Sequence, residues 1–194
     1  MRNTRLPRTI TSPVQSAGSR QADSHRPMAQ QQPREGRAKY REDALSLLRR
    51  DHEHTQSLYE GFQTAGGDDR YFLASRILRN LEQHARLEEE LFYPVIQAKS
   101  AKSGHKAAEE SVRTAMRDHQ ALGKRMAKVR DILAHDEGYQ VQIDELMEEV
   151  RRHVDEEEHR LFPLACALLD DRELVQLADD IHRMKQEVDS RLAA

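Results

Sequence analysis

The 194-residue chain is long enough for one domain with a full core plus a tail, and a second ordinary domain is not expected. With 37% hydrophobic and 34% charged residues, no Trp and only 8 Gly and 6 Pro, it reads as a highly charged helical protein rather than a β-rich one. No apolar run approaches bilayer-spanning length, and the net charge of −3 hides a split: residues 1–40 hold eight Lys or Arg against Asp23 and Glu35 (+6), so residues 41–194 hold 23 basic and 32 acidic side chains (−9).

Residues 1–40 are rich in Arg, Ser, Gln and Pro and nearly devoid of hydrophobes, so the composition predicts a disordered basic tail followed by one helical domain over 41–194. Three other readings of the tail stay open: an organelle transit segment, which Pro7 and Pro13 disfavour as an amphipathic helix; a weak nucleic-acid tether; or an overlong start, with Met28 the true first residue. A secretory apolar segment is missing. The single cysteine, Cys166, allows no intramolecular disulfide and is expected as a small buried hydrophobe, so a cytoplasmic location is the expectation.

From Glu42 onward the hydrophobic spacing is helical. A first helix over about 41–65 carries Leu45, Leu48, His52, Thr55, Tyr59 and Phe62 and stops at Gly66-Gly67. A second, about 69–99, carries Leu73, Ile77, Leu81, His84, Glu88, Leu91 and Val95. A third, about 106–135, runs Val112, Ala115, His119, Leu122, Met126, Val129 and Leu133. A fourth, about 139–168, runs Ile143, Leu146, Val150, His153, Glu157, Leu161 and Leu164. A shorter fifth, about 171–191, has Leu174, Leu177, Ile181 and Met184. Four long amphipathic helices with short connections predict an all-α, up-down-up-down four-helix bundle, with the fifth packed across it.

The string His-x3-Glu-Glu-x4-Pro occurs twice, as His84, Glu88, Glu89, Pro94 and as His153, Glu157, Glu158, Pro163. Residues four apart share a helix face, so each copy offers one imidazole and one carboxylate to a common point. His52 precedes His119 by 67 residues and His84 precedes His153 by 69, which reads as a duplicated helix pair. One histidine on an apolar stripe is ordinarily a satisfied core residue, but here four lie on four stripes with two glutamates beside them. Burying two unpaired carboxylates would cost several kcal/mol each, and no Lys or Arg stands on the stripes to compensate. A bound cation would, and imidazole with carboxylate suits iron, manganese or zinc. His52, His84, Glu88, His119, His153 and Glu157 are therefore the expected metal-binding set.

Rival patterns fail. Glu156 and His159 form the only pair with ferritin-like Glu-x-x-His spacing near a stripe, His-Glu-x-x-His is absent, and one cysteine cannot build a thiolate site. His25, His105, His135, His159 and His182 are expected to face solvent, as are Glu89, Glu90, Asp155, Glu156 and Glu158. Tyr93 and Phe162 hold equivalent places and are expected as core packing, with an aromatic lid over the metals as the alternative. Pro94 and Pro163 are expected to bend or end their helices.

The stretches Leu-Leu-Arg-Arg-Asp-His at 47–52, His-Ala-Arg-Leu-Glu-Glu-Glu-Leu-Phe-Tyr-Pro at 84–94, Arg-Asp-His at 117–119 and His-Val-Asp-Glu-Glu-Glu-His-Arg-Leu-Phe-Pro at 153–163 resemble the hemerythrin-like (HHE cation-binding) family over about 42–165. The resemblance implies a four-helix bundle around a non-haem di-iron centre: two Fe ions, oxo- and carboxylate-bridged, with His52, His84, His119 and His153 as terminal ligands and Glu88 and Glu157 as bridges. Oxygen carriers of the family have a further histidine four residues after the third-helix ligand, where this chain has Gly123. That departure implies more open metals, and favours sensing, peroxide handling or iron handling over oxygen carriage. The expectation is a di-iron protein meeting O2, peroxide or another small ligand, away from membranes. A catalase-like peroxide-decomposing enzyme and a metal-dependent interaction module are the alternatives.

Overall fold

The computed structural model describes residues 42–132 and 138–192, and every described element is a helix. The expected tail over 1–40, with His25, Leu133 and His135, lies outside these residues. Helix α1 spans Ala44–Thr64, its end capped by Asp43, whose carboxylate accepts from the Ser46 N–H at 2.9 Å. It buries the expected stripe of Leu45, Leu48, His52, Thr55, Tyr59 and Phe62. Helix α2 (Gly67–Leu87) passes through a π-helical turn, Glu88–Phe92, into α3 (Tyr93–Ser103). Gly104, at φ 71°, ends α3 in the left-handed region that a side chain would strain. Helix α4 spans Lys106–Asp131; α5 (Gly138–Glu156) passes through a second π turn, Glu157–Leu161, into α6 (Phe162–Leu168). Helix α7 spans Asp171–Leu192, within one residue of the fifth helix expected over 171–191.

These elements make the four-helix bundle the sequence predicts, with α2–α3 and α5–α6 each forming one long member. Helix α7 packs against α1, α2 and the first π turn. No described helix is long and apolar enough to cross a membrane.

Pro94 and Pro163 do not end their helices. Each follows a π turn, in which the Tyr93 N–H reaches back five residues to the Glu88 carbonyl and the Phe162 N–H to that of Glu157. Such a turn accommodates one extra residue, and it moves the buried stripe by one position. Beyond Glu88 the buried residues are Phe92, Tyr93 and Ile96, while the expected Leu91 and Val95 are only partly covered. Beyond Glu157 they are Leu161, Phe162 and Ala165. The same shift explains Cys166, which is exposed rather than buried: α6 turns Phe162, Ala165 and Leu169 inward, and Cys166 falls one step around the helix.

The core is divided. One apolar cluster joins Leu45, Leu48, Phe92, Ile96, Val112, Phe162 and Ala165 to Leu174, Leu177 and Ile181 of α7. A second joins Leu58, Phe62, Ile77, Leu81, Met126, Val129, Ile143, Leu146 and Val150 toward the other end of the bundle. The four histidines and two glutamates of the predicted set occupy the layer between them.

Candidate metal centre

All six residues of the predicted set are buried, Glu88 and Glu157 almost completely, at 0% and 1% exposure. Four of them, His52, His84, Glu88 and Glu157, bring donor atoms within 4.8 Å of one another, and so do Glu88, His119 and His153. The histidines meet in pairs. Nε2 of His52 lies 2.9 Å from Nε2 of His84, and Nε2 of His119 lies 3.0 Å from Nε2 of His153. Between the pairs, Glu88 Oε2 is 3.2 Å from both His84 and His119, and Glu157 Oε2 is 3.6 Å from His52 and 3.5 Å from His153.

The outer nitrogens face carboxylates across the bundle. His52 Nδ1 donates to Glu158 at 2.7 Å and His119 Nδ1 to Glu89 at 3.0 Å, so each copy of the repeat supplies the acceptor for the other copy's first histidine. Asp51 stands 3.6 Å from His84 Nδ1, and Asp118 4.0 Å from His153 Nδ1. Glu89 is exposed as expected and Glu158 is half-buried, but each also orients a histidine across the bundle, a role that sequence reasoning did not assign to them or to Asp51 and Asp118. An acceptor at Nδ1 fixes the tautomer and turns the Nε2 lone pair inward, the arrangement that supports a metal-bound imidazole.

Tyr93 is more than core packing. Its hydroxyl donates to Glu157 Oε1 at 2.6 Å and stands 3.4 Å from Glu88 Oε2 and 3.2 Å from His119 Nε2. The equivalent Phe162 stacks on His52 at 6.0 Å and has no polar atom to offer. Five residues beyond each glutamate, a side chain on an uninterrupted α-helix would point well away; the π turn swings it back over the site. Gly123, by contrast, is exposed, and a side chain there would meet nothing within 4 Å. On the side away from the glutamates, a cavity of about 30 Å³ is lined by the four histidines and by Thr55, Leu81, Leu122, Met126 and Val150.

Burial opposes every charge in this layer, so the protons distribute unevenly. Burial would raise the Glu88 carboxyl, but His84 and His119 beside it hold it well below the usual range. Glu157, desolvated and facing the Glu88 charge, is pushed well above it. Burial works against a charged His84, yet Glu88, Asp51 and Glu157 carry it up to about 10, whereas burial drives His153 down to about 3. Tyr93 is raised by burial and by the two carboxylates. Opposite shifts in adjacent groups are what two like charges in one dry site impose.

Even with that sharing, Glu88 Oε1, Glu157 Oε2, and the Nδ1 atoms of His84 and His153 are buried without hydrogen-bond partners. A layer of imidazole and carboxylate donors, paired tip to tip and partly unsatisfied, suits a cation.

The model of the hemerythrin HHE cation binding domain matches residues 43–165. The chain belongs to the hemerythrin HHE family. An uncharacterised hemerythrin-like protein of Schizosaccharomyces pombe is 26% identical over 138 residues, covering 71% of this chain and 66% of that protein, so the chain spans about two-thirds of that relative's length. A crystal structure of a hemerythrin HHE cation-binding-domain protein from Mycobacterium kansasii shares the fold at a TM-score of 0.68 and 23% identity, covering 79% of this chain and 91% of the other. The family match ends before α7, and it contains all six buried donors and Tyr93.

Of the remaining histidines, His159 and His182 are exposed as expected, while His105 is half-buried and accepts from the Ala108 N–H at the start of α4.

Proposed function

We propose that this protein is a cytoplasmic non-haem di-iron protein in which His52, His84, His119 and His153 are terminal ligands, Glu88 and Glu157 are bridges, and O2 or a related small oxidant is the reacting partner. The observation that carries the reading is the meeting of imidazole tips at 2.9 and 3.0 Å. With Nδ1 of His52 and His119 committed to Glu158 and Glu89, their Nε2 lone pairs face the Nε2 atoms of His84 and His153, so each metal-free pair is held by one shared proton that a cation between the tips would replace. The imidazole and carboxylate donor set would suit iron, manganese or zinc, and iron is the ion proposed here.

When bound, two irons would supply redox chemistry and open coordination positions. The chain's own residues do the rest. Glu158 and Glu89 orient His52 and His119, with Asp51 and Asp118 standing behind His84 and His153; the apolar cavity beside the histidines gives a diatomic-sized guest a dry place; and Tyr93 holds a proton on its hydroxyl against Glu157. Metal analysis and an optical spectrum of aerobically purified protein test the reading. Two irons per chain with oxo-bridge charge-transfer bands are expected, and zinc alone or no metal would overturn it.

The Tyr93 hydroxyl favours a second reading, disproportionation of two peroxides to O2 and two waters, because this chemistry needs a proton at hand. Oxygen evolution by the iron-loaded protein, lost in Glu157→Ala, distinguishes it from passive binding.

A further inference from the structure

The near-symmetry of the site breaks down in its surroundings. The inner donors are balanced: Glu88 Oε2 is 3.2 Å from both His84 and His119, and Glu157 Oε2 is 3.6 Å from His52 and 3.5 Å from His153. The orienting carboxylates are not. Asp51, behind His84, is 17% exposed and gripped by Lys185 of α7, whose ammonium lies 2.5 and 2.7 Å from its two oxygens. Glu158, behind His52, is 27% exposed and has Arg49 at 3.8 Å. The counterparts of the other pocket, Asp118 and Glu89, are 44% and 48% exposed. Finally, the Tyr93 hydroxyl already lies 3.2 Å from His119 Nε2 and bonds Glu157, so an ion entering there meets a donor committed elsewhere.

Resting on the two-metal reading above, we propose that the pockets fill in order: the His52–His84 pocket takes its ion first and holds it at least ~10-fold more tightly than the His119–His153 pocket. The less exposed outer carboxylates of the first pocket, Asp51 held by Lys185 of α7 and Glu158 beside Arg49, act in this direction. Outer partners of metal-bound histidines typically change affinity about 10–100-fold, which sets the expected gap. The chain therefore has a defined one-metal form, with the second ion exchangeable.

Anaerobic calorimetric titration of the metal-free full chain with Fe(II) tests the order, with circular dichroism as the check on folding. Two separated steps summing to two ions are expected. Lys185→Ala, which removes no donor, should weaken the first step about tenfold and leave the second unchanged. Glu89→Ala should weaken the second step alone. A single step of two equal sites, or Lys185→Ala weakening the second step, would overturn the order while leaving the two-metal reading intact. A total capacity below two ions would instead overturn that reading and the order with it.

Discussion

The two halves of the centre come from one pattern repeated, and they are not the same. Each has a histidine from the first helix of a pair, a histidine and glutamate from the second, a π turn and an aromatic residue swung over the partner pair's histidine. They differ in one oxygen atom, Tyr93 against Phe162, and in α7, which packs on the first pair and holds its Asp51 through Lys185. Duplication thus fixes where donors stand. The residues around the duplicated frame decide how each donor behaves.

The largest way to break the comparison is to remove a residue both halves share. Glu88→Ala takes away the carboxylate 3.2 Å from both His84 and His119, and stoichiometric iron binding should be abolished, read by metal analysis after desalting. Ile181→Ala removes a fully buried anchor of α7 and should cost about 2–5 kcal/mol in denaturant unfolding, loosening the end of the bundle that α7 covers. Tyr93→Phe makes the halves chemically alike. Glu157 Oε1 then loses its 2.6 Å donor, and the metal-free protein should lose about 1–3 kcal/mol, seen as a lower Tm without metal.

The subtlest test follows protons. In the metal-free protein His84, held up to about 10 by the neighbouring carboxylates, carries a proton at pH 7, and His153, driven down to about 3, does not. An ion must displace the His84 proton. Loading at pH 7 should release acid, measured by pH-stat, and affinity should rise with pH until His84 is neutral unaided.

Much of this was legible in the sequence because it depends on helical period alone. The stripes located the helices and the six buried donors, since a charged residue on a buried stripe announces itself. The π turns are not legible: an inserted residue alters no composition, and its one sign is a proline after an apparently continuous stripe. The polar role of Tyr93 is hidden with them, because the approach of its hydroxyl to His119 depends on the inserted residue. Glu89 and Glu158 were missed for another reason. They point off their own stripe, and only the packing of one helix pair on the other shows that His119 and His52 are there to meet them. The available sign was the doubled Glu-Glu, repeated in both copies where one glutamate per copy would have filled the inward role.

The divided core has a consequence for cooperativity. A continuous apolar core ties a bundle into one unit that opens all at once, but here a polar layer separates the cluster held by α7 from the cluster at the opposite end. Without ions that layer couples the ends weakly, and amide hydrogens around Phe62, Ile77 and Ile143 should exchange through openings that leave the α7 end protected. Filling the layer joins the ends into one folding unit, so occupancy at the centre becomes readable many ångströms away, in how the far end of the bundle breathes.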